Sequence, residues 1–146
     1  MAIRRIRQLG DPILRVRCEQ VQDPKSPSVR LVADDLRDTL RSARTKYKMG
    51  RALAAPQIGA PVRVVFVEVK GKQRWTMVNP EITDVGSQDF LVWDDCFSFP
   101  NLLVRVTRAR LSGVVSRGES PLRGQAPALP GGVCLASEGR SPECDV

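Results

Sequence analysis

Apolar side chains recur along this chain in two rhythms. Val29, Val32, Ala33, Leu36, Leu40, Ala43 and Tyr47 follow one another at spacings of three and four, which places them on one face of a helix about five turns long. Ser26-Pro27 ahead of the stripe supplies an N-cap hydroxyl and a proline for the first helical position. Gly50 stands where that helix is expected to stop. Beyond it the period shortens. Val62 to Val69 is β-branched and apolar on both faces, which predicts a buried strand. Lys70-Gly71-Lys72 makes a turn, and Arg74-Trp75-Thr76-Met77-Val78 reads as its hairpin partner. Asn79-Pro80 interrupts pairing before a further strand at Glu81–Val85, and Leu102 to Leu111 alternates as a half-exposed strand. Upstream, Asp11 to Arg17 fits a short helical turn opened by Pro12, and Gln22 to Ser26 a loop. One long helix ahead of several short strands predicts an α+β domain rather than a doubly wound parallel sheet.

From Ser112 the pattern fades. Residues 112–146 hold six Gly, four Pro and five Ser with no sustained apolar period, so they cannot bury enough surface to offset their ordering entropy. The chain therefore divides into a domain at 1–111 and a tail at 112–146, expected to be disordered or out of frame. At 146 residues the length suits one domain. No apolar run approaches the roughly 18 residues of a membrane span, and Met1-Ala2-Ile3-Arg4-Arg5 lacks a secretory apolar region. A cytoplasmic protein with no membrane partner is the expectation.

The net charge is +7, and the first 50 residues hold 12 of the 23 basic side chains against 6 of the 16 acidic ones. Arg4, Arg5, Arg7, Arg15 and Arg17 suit either a solvated face or a polyanion such as ribosomal RNA, though no aromatic residues interleave them as a base-stacking platform requires. The chain has no histidine. That excludes a His-dependent triad, a His proton shuttle and an HExxH metal site built from these residues alone. Cys18, Cys96, Cys134 and Cys144 show no CxxC pairing, and free thiols in a reducing compartment are expected.

Two clusters carry candidate chemistry. Gly50-Arg51-Ala52-Leu53-Ala54-Ala55-Pro56-Gln57-Ile58-Gly59 lies between the helix and the first buried strand. Its small residues allow another backbone to approach, as at a peptide-binding edge, and the Gln57 amide could polarise a carbonyl. A tight helix-to-strand connection is the simpler reading. Trp93-Asp94-Asp95-Cys96-Phe97-Ser98-Phe99-Pro100 is the second. Flanking carboxylates oppose a nucleophilic thiolate, whereas a metal ion would deprotonate the sulfur itself. One thiolate does not make a catalytic centre of three protein ligands, and a buried Cys on a Phe97/Phe99 strand edge is the alternative.

Together the clusters resemble the first two signature motifs of peptide deformylases, which read G-x-G-x-A-A-P-Q and E-G-C-x-S. Gly10-Asp11-Pro12-Ile13-Leu14-Arg15 and Met77-Val78-Asn79-Pro80-Glu81-Ile82 add to the likeness, which covers roughly residues 3–111. The resemblance implies a long N-terminal helix packed on short, mostly antiparallel strands. It further implies metal-dependent hydrolysis of the formyl group from N-formylmethionyl peptides, with Fe(2+) or Zn(2+) as the ion. Cys96 matches the thiolate metal ligand. Gln57 and the backbone N–H of Phe97 match the catalytic donors to the tetrahedral oxyanion, and Gly50, Arg51, Ala52 and Trp93 the substrate-binding residues, with the peptide added as a strand. Ala52 replaces the second glycine of the first motif, while Asp94 and Asp95 replace Glu and Gly of the second.

The family's third motif, H-E-x-x-H on a C-terminal helix, has no counterpart. Leu129-Pro130-Gly131-Gly132-Val133-Cys134-Leu135-Ala136-Ser137-Glu138 stands where it is due, so two metal ligands and the general base are missing. The chain is thus expected to be a truncated or frameshifted member, without the C-terminal helix, that does not bind the ion. Without the ion, hydroxide at neutral pH is scarcer by roughly eight orders of magnitude, more than any oxyanion donor restores. A three-thiolate site from Cys96, Cys134 and Cys144 is the remote substitute. The alternative to an inactive hydrolase is a non-enzymatic module that binds nascent peptides or the ribosome, and on either reading a monomer is expected.

Overall fold

The computed structural model describes residues 2–69 and 74–115. The expected turn at Lys70–Lys72 and residues 116–146 of the expected tail at 112–146 lie outside the described residues, while residues 112–115 end a strand. The chain folds as an α+β domain: one helix, α1 (Pro27–Tyr47), and five strands, β1 (Ala52–Ala54), β2 (Val64–Glu68), β3 (Arg74–Val78), β4 (Glu81–Asp94) and β5 (Val104–Val115). A 3-10 turn at Pro12–Arg15 precedes the helix, as the sequence predicts, with Asp11 Oδ1 accepting from the Ile13 N–H at 3.1 Å.

α1 lays Val29, Leu36, Leu40 and Ala43 against β1 and β2, and this seam is the core. Its ends differ from expectation. The Ser26 side chain makes no capping hydrogen bond to the first-turn N–H groups; its hydroxyl meets that of Ser28 at 3.0 Å instead. The helix closes at Lys48, which adopts the left-handed conformation (φ 59°) and donates to the Arg44 carbonyl at 2.9 Å. Gly50 is therefore not the stop, and its positive φ serves another contact. Two polar residues, Asp35 and Thr39, are buried within the apolar face; the chain's first residues satisfy them.

β1, β2 and β3 form an antiparallel sheet in that order, with Leu53 opposite Phe66 and Phe66 opposite Thr76. β2 is central and buried on both faces, as its apolar run predicts. Glu68 at its end receives Arg41 (2.6 Å) and Arg44 (3.5 Å) from α1, fastening helix to sheet. Burial opposes ionisation of Glu68, but the Arg41 hydrogen bonds, foremost, and both guanidinium charges hold its carboxyl below the usual carboxylate range. Asn79 ends the sheet with φ 48°; its buried side chain donates to the Val21 carbonyl (2.8 Å) and accepts the Val21 N–H (2.9 Å).

β4 and β5 pair as a separate antiparallel ribbon of 14 and 12 residues. The strand expected at Glu81–Val85 continues to Asp94, since register shifts between Ile82 and Asp89 absorb the Gly86-Ser87-Gln88 break. β5 begins at Val104 instead of Leu102, whose N–H closes a turn on the Phe99 carbonyl at 3.1 Å, and it extends to Val115. The strands are antiparallel as expected, but these two are long.

Candidate active site

The first cluster splits into β1 and a 3-10 turn at Ala55–Ile58. The strand was not legible in the sequence, because Ala-Leu-Ala carries neither the β-branched nor the aromatic residues that favour a strand; β2 supplies the pairing. β1 lies at the sheet edge. The Arg51 carbonyl accepts from the Glu68 N–H (2.8 Å), turning odd residues inward, so Ala52 directs its N–H and C=O to the open side. The 3-10 turn ends at Gly59 (φ 88°), whose N–H reaches the Pro56 carbonyl at 3.0 Å. Gln57 is carried on it with a fixed amide. Its Oε1 accepts the Ala54 N–H (2.9 Å), leaving Nε2 to donate to Ser98 Oγ (3.1 Å) and toward Cys96 Sγ (3.4 Å).

The second cluster is a turn rather than a strand edge. The Phe99 N–H closes on the Cys96 carbonyl at 3.0 Å, and the Ser98 N–H points at Cys96 Sγ at 3.4 Å. Cys96 is half-buried with its sulfur as acceptor of two N–H groups. The Phe97 ring is 3% exposed and lies against Tyr47, ring centroids 6.1 Å apart. It also covers Gly50 (φ 81°): a Cβ there would stand 2.2 Å from Phe97 Cζ. Only glycine allows ring and backbone to come this close. The ring fixes the turn, and the Phe97 N–H donates to no acceptor among the described residues. Ser98, a motif residue given no role from sequence, joins Gln57 to the turn, and its hydroxyl was the available signal.

The structure thus brings Gly50, Gln57, Cys96 and Phe97 together, with Arg51 and Ala52 on the adjoining edge. Trp93 stands apart near the end of β4, 65% exposed and opposite Arg105, with no ring contact or hydrogen bond to the cluster among the described residues. Asp94 pairs with Arg108 from β5 and accepts the Asp95 N–H, while Asp95 itself is exposed. Of the N-terminal arginines, Arg4 pairs with Asp35 (2.7 Å) and Arg7 with Asp11 (3.4 Å). Cys18 is half-buried; burial pushes its thiol up, against the Arg63 charge.

Residues 3–115 match the family model described as polypeptide deformylase. The chain belongs to that family. A peptide deformylase of Heliobacterium modesticaldum is 42% identical over 108 residues, covering 74% of this chain and 66% of its own length. One from Natranaerobius thermophilus is 36% identical over 108 residues, covering 74% and 65%. The crystal structure of a peptide deformylase from Legionella pneumophila superposes with a TM-score of 0.67 at 32% identity, covering 75% of this chain and 62% of that one. The chain thus spans about 65% of the length of curated relatives it matches.

Deformylases are metal-dependent, and the described residues of this site do not by themselves fit the ion. Among the described residues no group of three His, Cys, Asp or Glu could hold one. Cys96 is the single thiol at the turn, and the groups nearest its sulfur, Gln57 Nε2 and the Ser98 N–H, are hydrogen-bond donors with no lone pair to offer a cation.

Proposed function

We propose that this deformylase-family chain recognises N-formylmethionyl peptides without itself completing their hydrolysis. The peptide adds as a strand to the open side of β1, exchanging hydrogen bonds with the Ala52 N–H and C=O. Its formyl oxygen accepts from the Phe97 N–H and from the Gln57 Nε2 hydrogen that points toward Cys96, the amide staying fixed by Ala54 and Ser98. The observation carrying this reading is the Phe97 N–H, which has no acceptor among the described residues and is held by a buried ring beside the Gln57 amide and the edge strand. A peptide N–H left without a partner is costly when water is excluded, so a carbonyl in that place gains a waiting donor.

Hydrolysis is a different matter. A metal lowers the pKa of bound water from about 15.7 to about 7, and a lone thiolate lacks the partners to hold that metal. Titration calorimetry with a formyl-Met-Ala-Ser peptide, beside a formate-release assay and metal analysis of the same protein, tests both halves. Saturable binding that requires the formyl group, with no formate released and no stoichiometric metal, is the expected result. Absence of binding overturns the recognition half; stoichiometric iron or zinc with sustained formate release overturns the other.

A further inference from the structure

We propose that the N-terminal arm, residues 2–9, is a strap that positions this site, and that Gln8 is its positioning side chain. The arm is fixed at one end to the buried polar pair on α1. The Ala2 N–H and Arg4 Nε donate to the two oxygens of Asp35, each at 2.7 Å, and the Arg4 N–H donates to Thr39 Oγ1 at 2.9 Å. Asp35 is 6% exposed and Thr39 1%. Two polar side chains inside an apolar helix face are costly unless bonded, and the arm is what bonds them. Burial acts to raise the Asp35 carboxyl, but the Arg4 hydrogen bond, the Ala2 N–H and the Arg4 charge outweigh it and hold it below the usual range.

At its other end the arm joins the two halves of the site. The Arg7 N–H donates to the Gln57 carbonyl and the Leu9 N–H to the Ser98 carbonyl, both at 2.8 Å. Between them Gln8 Nε2 spends one hydrogen on its own Ile6 carbonyl (3.1 Å) and the other on the Phe97 carbonyl (3.3 Å). That carbonyl shares a rigid peptide plane with the Ser98 N–H, which points at Cys96 Sγ. Holding one side of the plane holds the other, and with it the orientation of the turn that carries the Phe97 N–H. The arm's backbone thus sets the distance between the Gln57 turn and the cysteine turn, while the Gln8 side chain sets the tilt of the latter.

This inference rests on the peptide-recognition reading for its functional consequence, and the test separates the two. Q8E keeps the shape of the side chain and removes its donor; Q8R restores an N–H donor of sufficient reach. Each is compared with the wild type by amide 1H–15N spectra, by formyl-Met-Ala-Ser titration and by thermal melting. Q8E is expected to shift the Phe97 and Ser98 amide resonances and weaken peptide binding about fivefold, the worth of one hydrogen bond, with a melt that stays cooperative and folded at the titration temperature. Q8R is expected to restore both signals. Unchanged Phe97 and Ser98 resonances in Q8E overturn the strap, as does a shift that Q8R fails to reverse. If the wild type binds no peptide, the recognition reading fails, and the resonances alone decide on the strap.

Discussion

Replacing Gly50 by alanine tests the link between the helix end and the cysteine turn. Gly50 has φ 81°, and an added Cβ would stand 2.2 Å and 2.3 Å from Cζ and Cε2 of Phe97. Both distances are far inside van der Waals contact, so the ring must move, and the ring is buried against Tyr47. The conformation itself disfavours a Cβ by roughly 1–2 kcal/mol. Displacing a packed ring adds about 1–3 kcal/mol. The sum, about 2–5 kcal/mol, is a large fraction of the 5–15 kcal/mol typical of a folded domain. Urea unfolding of Gly50→Ala measures it directly, from the midpoint shift at constant slope. Adding Phe97→Leu separates the two contributions: the shorter side chain relieves the clash but leaves the backbone penalty. The double variant should therefore be more stable than the sum of the single losses, by about 1–2 kcal/mol. A loss below about 0.5 kcal/mol for Gly50→Ala, the range of an inert surface change, would refute the packing account.

Asn79→Ala removes both hydrogen bonds to Val21 and leaves a Cβ-bearing residue at φ 48° without side-chain support; a loss of about 2–4 kcal/mol in urea unfolding is expected. Glu68 ionises more readily folded than unfolded, because the Arg41 hydrogen bonds and neighbouring guanidiniums outweigh burial. Its contribution is therefore complete above the unfolded pKa and is lost as pH falls through the lowered folded value, in the window below about pH 4. Glu68→Gln should flatten that part of the acid limb, seen as a smaller difference in urea midpoint between pH 7 and pH 3. Gln57→Leu leaves the Ala54 N–H without its acceptor and Ser98 without its donor; peptide affinity measured by calorimetry should fall about tenfold, for roughly 1.4 kcal/mol of lost donor contact.

Periodicity and motif order were legible without a structure. The α1 face from Val29 to Ala43, the buried β2 and the hairpin to β3 follow from local patterns of burial, which a sequence records directly. So did the pairing of Gln57 with Cys96 at one site, through the resemblance of the two clusters to known motifs. What escaped depends on contacts between distant segments. The three residues of β1 become a strand only because β2 lies beside them. β4 runs through a Gly-Ser-Gln break only because β5 tolerates shifts in register. Asp35 and Thr39 stand outside the apolar stripe that the spacing shows, and they are buried because the N-terminal arm closes over them. Gly50 looked like a helix stop, and its task is to make room for a ring 47 residues further along. Local periodicity is written residue by residue, whereas the mutual placement of donor groups in a site is a property of the packed chain, and only the packed chain displays it.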